Sequence, residues 1–327
     1  MASGFFAAKP PTVAVEIARH RVSAASIVPR DSGLAVTAHA VELLPSGVIT
    51  PSLNASNIAD PRAVADALRG VFESLGTHPK RVALAIPDNV AKVSLLRFEK
   101  VPDRAHDLDE LVRWQVRKAA PFRIEDAQLS YARGLKAPDG STEFVVVMAR
   151  KDIIREYEKA CEDAGAHAGI VDLATFNVIN AVLAGQNGRN AEASDTDWLL
   201  VHVTQEDATM AILRGKHLVF FRSRAAEGEA GLADMVHQTA MYYEDRLSGS
   251  GFSRVVLAGA GAGAPGGQGA QDADYLRRAL EQRLGTRVDS IDPRNAAVLM
   301  DRISATSELL DTLAPLVGLI VREQEAA

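Results

Sequence analysis

The sequence predicts an α/β protein of two related lobes, with a smaller α+β subdomain inserted in the first. Two observations carry that prediction: the order β-β-β-α-β occurs twice, and a unit of different order separates the two copies. A third is the composition. With 327 residues, 47% hydrophobic and 24% charged, the chain has ordinary globular make-up and enough length for two hydrophobic cores.

In the first copy, Val13, Val15, Ile17, Val22, Ala24 and Ile27, then Leu34, Val36, Val41 and Leu43, mark three strands joined by short turns at 18–21 and 29–33. Asp60 is placed as an N-cap with Pro61 at the first helical position. Val64, Ala67, Leu68, Val71, Phe72 and Leu75 follow on one stripe, and Gly76 ends the helix in a left-handed conformation. Arg81–Pro87 is a near-continuous apolar strand, the pattern of a strand covered on both faces.

The inserted unit begins near Val90. A strand over 92–101 precedes Asp107-Leu-Asp-Glu110, a capping-box spacing expected to open a helix that runs to about Ala120, where Pro121 blocks continuation. Strands over 129–135 and 143–150 flank the turn residues Pro138-Asp139-Gly140, a hairpin signal. A helix over 152–164, ended by Gly165, turns Ile153, Ile154, Tyr157, Ala160, Cys161 and Ala164 inward. A return strand (168–173) and an apolar helix (174–184) follow, and small polar residues over 185–197 read as the inter-lobe connection.

The second copy has strands at 198–203, 208–213 and 217–222, a helix at 232–247 and an apolar strand at 254–257. In register, Val15-Glu16-Ile17-Ala18 corresponds to Val201-His202-Val203-Thr204. A Gly/Ala-rich loop, a helix ending near Gly285, a strand at 287–291 and a helix at 313–321 close the chain. The expected division is 12–89 plus 168–190 for the first lobe, 90–167 for the insert and 197–323 for the second lobe.

Composition excludes several function classes. Thirty-six Lys plus Arg against 42 Asp plus Glu give a net charge of −6, without the basic excess of a nucleic-acid binder. The single cysteine, Cys161, rules out an internal disulfide or a multi-Cys metal site and points to a reducing compartment. The first eleven residues contain no run of signal-peptide length, and no segment approaches the roughly 18 apolar residues that span a bilayer. A cytoplasmic protein that meets the membrane only through a partner is expected.

Local motifs add little chemistry. Residues 261–266 satisfy G-x-G-x-x-G, but further glycines prolong the loop where the dinucleotide fingerprint leads straight into a helix, so a Gly-rich loop is the reading taken. The eight histidines show no H-x-x-x-H spacing, and no G-x-S-x-G is present; neither a metal nor a catalytic residue is assigned. Cys161 and His202 read as core residues. Trp114 and Phe122, like Met241, Tyr242 and Tyr243, fit either core packing or an interface.

The segment LDELVRWQVRKAAPFRIEDAQLSYARG, with Leu111, Trp114, Pro121, Phe122 and Tyr131, together with VDLATFNVINAV and LAPLVGLIVRE, resembles the PilM-like family of type IV pilus assembly. That family is part of the actin-like superfamily of actin, Hsp70 and sugar kinases. The resemblance covers about residues 12–323. It implies an α/β fold of duplicated ribonuclease-H-type lobes with mixed five-stranded sheets.

Active members grip nucleotide with two Asp-Ile-Gly-type turns and a Gly-Gly turn, because backbone N–H groups must approach phosphate without a Cβ between. Here the first turn reads Glu16-Ile17-Ala18-Arg19, the second His202-Val203-Thr204, and only the third, with Gly259 and Gly261, is partly kept. A Cβ at Ala18 and Thr204 costs about 1–2 kcal/mol each if a left-handed turn is required. The resemblance therefore implies a degenerate, non-hydrolysing site with vestigial positions at Glu16, Ala18, Arg19, His202, Thr204, Gly259 and Gly261. No cofactor is required; ATP with magnesium stays open, since Arg19, His20 and Arg21 attract anions. It further implies capture of the short cytoplasmic tail of a PilN-like inner-membrane protein between first lobe and insert, around Phe98, Trp114, Pro121 and Phe122, and self-association. The alternative is an active ATPase or small-molecule kinase with altered phosphate turns. The cytoplasmic part of a type II secretion protein shares the architecture; that family carries a membrane anchor, which this sequence is read as lacking.

Overall fold

The computed structural model describes residues 10–31, 33–186, 196–225, 228–262, 269–300 and 303–326. The first lobe starts with β1 (Val13–Ile17), β2 (Arg21–Arg30), β3 (Gly33–Leu43), α1 (Pro61–Ser74) and β4 (Arg81–Ile86). Asp60 caps α1 as expected: its carboxylate accepts from the N–H groups of Arg62 (3.1 Å) and Ala63 (3.0 Å), with Pro61 at the start. Gly76, at φ 66°, ends it in the left-handed region where a Cβ is costly.

The insert contributes β5 (Ala91–Phe98), α2 (Ala105–Arg117), β6 (Ala127–Lys136), β7 (Thr142–Arg150) and α3 (Lys151–Asp163), with an antiparallel sheet in the order β5-β7-β6. The 138–140 turn is the predicted hairpin, with Gly140 at φ 86°. The capping box does not form. Helix α2 opens three residues early, at Ala105, and Asp107 lies in its first turn rather than at its cap. Its buried face, Leu108, Val112 and Val116, packs with Phe98, Phe144, Val146 and Met148 in a small core of its own. Helix α3 behaves differently. Ile153, Tyr157, Ala160 and Cys161 are buried with α1 and β4 in the first-lobe core, and Tyr157 donates its hydroxyl to Asn57 Oδ1 at 3.1 Å.

The chain returns through β8 (His167–Leu173) and α4 (Ala174–Gln186). Most of the expected inter-lobe connection, 187–195, lies outside the described residues, as do the first nine residues and the 263–268 part of the Gly-rich loop. The second lobe comprises β9 (Asp197–Val203), β10 (Asp207–Arg214), β11 (His217–Ala225), α5 (Gly228–Leu247), β12 (Arg254–Ala258), α6 (Gly269–Leu284) and β13 (Val288–Ser290). Its sheet has the five strands expected, β11-β10-β9-β12-β13.

The first sheet has six. After the second lobe, β14 (Ala297–Leu299) pairs parallel with Leu34–Val36, giving the order β14-β3-β2-β1-β4-β8. Helix α7 (Ser307–Ala326) follows, and Leu313, Leu316, Val317 and Ile320 are buried against Ala14, Ile27, Ala83 and Ala85 of the first sheet. Residues from 297 onward thus pack on the first lobe, not within the second as the expected boundary at 323 had it. The apolar stripe on α7 needs a sheet face to cover it, and the first sheet supplies one through Ala14, Ile27, Ala83 and Ala85. Helices α4 and α7 cross so closely that Gly318 has no room for a side chain; a Cβ there would lie 1.7 Å from the Asn177 carbonyl oxygen.

Candidate functional site

Two regions could serve function: the cleft between the lobes, and a groove between the first lobe and the insert. In the cleft the two copies have matching hairpins, with Ala18 N–H donating to Arg21 O (2.9 Å) and Thr204 N–H donating to Asp207 O (2.8 Å). Neither Ala18 nor Thr204 takes a positive φ, so the strain expected at these positions is not there. Glu16 is buried and accepts from Arg21 Nη2 (3.1 Å) and Ser23 Oγ (3.0 Å). Arg21 also donates to the carbonyl of Ala262, across the cleft.

The other cleft residues bridge the lobes in the same way. Arg19 pairs with Glu206, and His20 Nε2 lies 3.4 Å from the same carboxylate. Asn89 Nδ2 donates to Asp207 Oδ2 at 3.1 Å, and burial pushes the Asp207 carboxyl up from its ordinary pKa. His202 Nδ1 sits 2.7 Å from Thr175 Oγ1, whose hydroxyl donates to buried Asp88. Asp88 also accepts from Thr175 N–H (3.1 Å) and, from the second lobe, Thr209 Oγ1 (2.8 Å).

The third turn is occupied from within. Gly259 and Gly261 direct their N–H groups to the two carboxylate oxygens of Asp311 on α7, at 2.8 and 2.7 Å. Burial pushes the Asp311 pKa up, and those two N–H donors oppose the shift. Gly259, at φ 82°, is required for close approach to the neighbouring strand: a Cβ would lie 2.1 Å from Val203 O. Among the described residues no group of three or more His, Cys, Asp or Glu could hold a metal ion.

The groove consists of a cavity of about 500 Å³ between β8 and the insert and a second of about 330 Å³ between the insert, α4 and Leu213, Lys216, His217 and Leu218 of the second lobe; the two share Ser130, Val147, Asp172 and Arg322. Six consecutive residues of β8, Ala168 to Leu173, line the larger one. Side chains alternate along a strand, so consecutive lining residues mean that the strand presents its edge to the cavity. That edge is unpaired: β8 is the last strand of its sheet and pairs only with β4 among the described residues. Opposite it lies one face of the insert's sheet, with Gln128, Ser130, Val147 and Ala149. Arg322, from α7, reaches into the groove and pairs with Asp172, whose carboxyl is pushed up by burial against the pull of that guanidinium.

None of the predicted partner-binding residues lines this groove. Strand alternation sends Phe144, Val146 and Met148 to one face of the insert's sheet, under α2, and Val145, Val147 and Ala149 to the other, toward the groove. Phe98 belongs to the first group; it is 8% exposed and packs edge-on to Phe144, at 5.5 Å between ring centroids. Phe122 is half-buried beside it, Pro121 is exposed, and Trp114 is 63% exposed on the outer side of α2.

The family model for the type IV pilus assembly protein PilM matches residues 14–251. The chain belongs to that family. A solved structure of a PilM-PilN type IV pilus biogenesis complex is similar at 18% identity over 95% of this chain and 98% of that one, with a TM-score of 0.79, which establishes a common fold. A protein of actin-like ATPase fold from Bacteroides thetaiotaomicron matches at 10% identity over 92% and 94% of the two chains, TM-score 0.49. The ethanolamine utilization protein EutJ from Carboxydothermus hydrogenoformans matches at 10% over 96% and 90%, also with TM-score 0.49. No curated protein sequence matches. Among the described residues of this PilM-family chain no helix is long and apolar enough to cross a membrane.

Sequence reasoning missed Asp88, Thr175, Asp172, Asp311 and Arg322. Asp88 follows a buried strand and Thr175 opens a helix, positions where an isolated polar residue reads as a cap. Asp311 and Arg322 lie on a helix whose apolar stripe hides the role of its polar residues. Only the fold brings them to the cleft and the groove.

Proposed function

We propose that this PilM-family chain is a scaffold of type IV pilus assembly. It holds the extended cytoplasmic tail of a PilN-like inner-membrane protein along β8, and its interlobe cleft turns over no nucleotide. The observation that carries the reading is the unpaired edge of β8 facing two contiguous, partly apolar cavities. An extended peptide adds to such an edge through main-chain hydrogen bonds, and alternate apolar side chains of the peptide fill the pockets. The known complex of a PilM with a PilN supports a partner of this kind. Binding through such a tail keeps the chain at the cytoplasmic face of the membrane.

The cleft chemistry supports the second half. Phosphoryl transfer depends on free backbone donors and a positioned metal. In this chain the donors of the third turn are engaged by Asp311, and Arg19, Arg21 and Asn89 are engaged by groups of the opposite lobe. Titration of the purified chain with a synthetic peptide of the partner's cytoplasmic N-terminus tests the tail reading. Saturable binding in the micromolar range is expected, and none at high micromolar concentration overturns it. Magnesium-dependent phosphate release that is lost on changing Glu16 would overturn the non-hydrolysing cleft.

A further inference from the structure

We propose that the outer face of α2, around Trp114, is a membrane-contact surface that lies on anionic lipid headgroups. The stretch Leu111–Ile124, LVRWQVRKAAPFRI, carries four cations and no acid, in a chain whose net charge is −6. Arg113 is paired with Asp109 (2.7 Å) and Arg123 with Glu125 (3.7 Å). Arg117 and Lys118 are exposed, and their side chains make no ion pair or hydrogen bond among the described residues. Lys92 adds a further cation at the end of the helix, its ammonium donating to Ala119 O at 2.6 Å.

Helical spacing puts Arg117 and Lys118 one turn beyond Trp114 and on either side of it. Basic residues at a helix C-terminus are expected from the macrodipole alone. The dipole gives no reason for an indole left 63% exposed among them, when Trp198 is 4% exposed with its Nε1–H bonded to Gly215 O. An amphipathic ring flanked by Lys and Arg is the combination that the headgroup layer favours: the ring takes the interfacial position and the cations meet anionic lipid. Each such cation strengthens adhesion roughly fivefold at an anionic surface. The acidic residues of α2, Asp107, Asp109 and Glu110, lie toward its N-terminal end, so the helix would tilt its C-terminal turn onto the bilayer. The groove is on the opposite face of the insert's sheet, which leaves it open to a tail passing around the sheet edge.

The test uses the full chain with two kinds of vesicle, phosphatidylglycerol mixed with phosphatidylethanolamine, and phosphatidylcholine alone. Co-sedimentation with the anionic vesicles is expected, weakening with salt, together with a blue shift of tryptophan emission. Trp198 is buried already, so the shift reports Trp114. Trp114→Phe should abolish the shift, and the double variant Arg117→Glu with Lys118→Glu should weaken binding by more than about twentyfold. Both positions are exposed, and an unchanged melting temperature verifies the fold. Failure to bind anionic vesicles at low salt overturns the proposal, as does undiminished binding by the double variant. A shift produced by polyglutamate but not by vesicles also overturns it and assigns the face to an acidic protein. Vesicle binding by the chain alone and tail binding in the groove are measured separately, so either can fail without the other.

Discussion

Replacing Asp311 by Ala removes the carboxylate that ties α7 to the third cleft turn. The N–H groups of Gly259 and Gly261, now bonded at 2.8 and 2.7 Å, lose their acceptor. Leaving a buried donor without a partner costs about 1–3 kcal/mol. Against that, the variant no longer buries a carboxylate, the burden that pushes the Asp311 pKa up. A net loss of about 2–3 kcal/mol follows for the two donors together. For a chain of 327 residues that is a fall in melting temperature of about 3–4 °C, read by circular dichroism. The pH dependence has a definite sign. Because the folded pKa lies above the ordinary value of 3.8, the folded state holds this proton more tightly. The contribution of Asp311 is therefore largest in acid and declines as pH rises through the folded pKa. The gap between wild type and variant should narrow as pH rises above the ordinary value of 3.8. A variant that melts within about 1 °C of wild type at every pH would refute the claim that this carboxylate locks the turn.

Three further outcomes are expected. Ser130→Trp places a large ring where the two cavities meet, on an exposed strand position; tail-peptide affinity should fall at least roughly tenfold with no change in melting temperature, and equal affinity would remove the groove from consideration. Gly318→Ala sets a Cβ 1.7 Å from Asn177 O and forces α4 and α7 apart, destabilising by about 1–3 kcal/mol or more; a stable variant in urea titration would contradict that packing. Burial pushes the Cys161 thiol up to about 12, so a thiol reagent should label the native protein only as fast as it unfolds, and rapid labelling at pH 8 would show the helix to be open.

What was legible in the sequence was what local physics determines. Asp60-Pro61 and Gly76 delimit α1 because a cap, a fixed φ and a left-handed glycine act within a few residues. The match between Glu16 and His202 is a property of two hairpins, and it appears in their equivalent turn bonds. What was not legible depends on distant partners. Three residues, Ala297–Leu299, form a strand only because Leu34–Val36 offers an open edge, and no periodicity can be read from three positions. Asp107 and Glu110 had the right spacing for a capping box, but α2 gains a further turn by starting at Ala105. Phe98, Trp114 and Phe122 were grouped by their aromatic character; the sheet between them and the groove separates them from it. The groove itself is built from a strand edge, and an edge is set by sheet order, which only the pairing of all strands determines.

Hydrogen exchange of the chain with and without saturating tail peptide tests the central claim most directly. Addition of the peptide as a strand predicts that alternate amides over His167–Leu173, those on the unpaired edge of β8, become protected while α2 is unchanged. Protection confined to the segment around Trp114 and Phe122, with β8 exchanging as before, would contradict it.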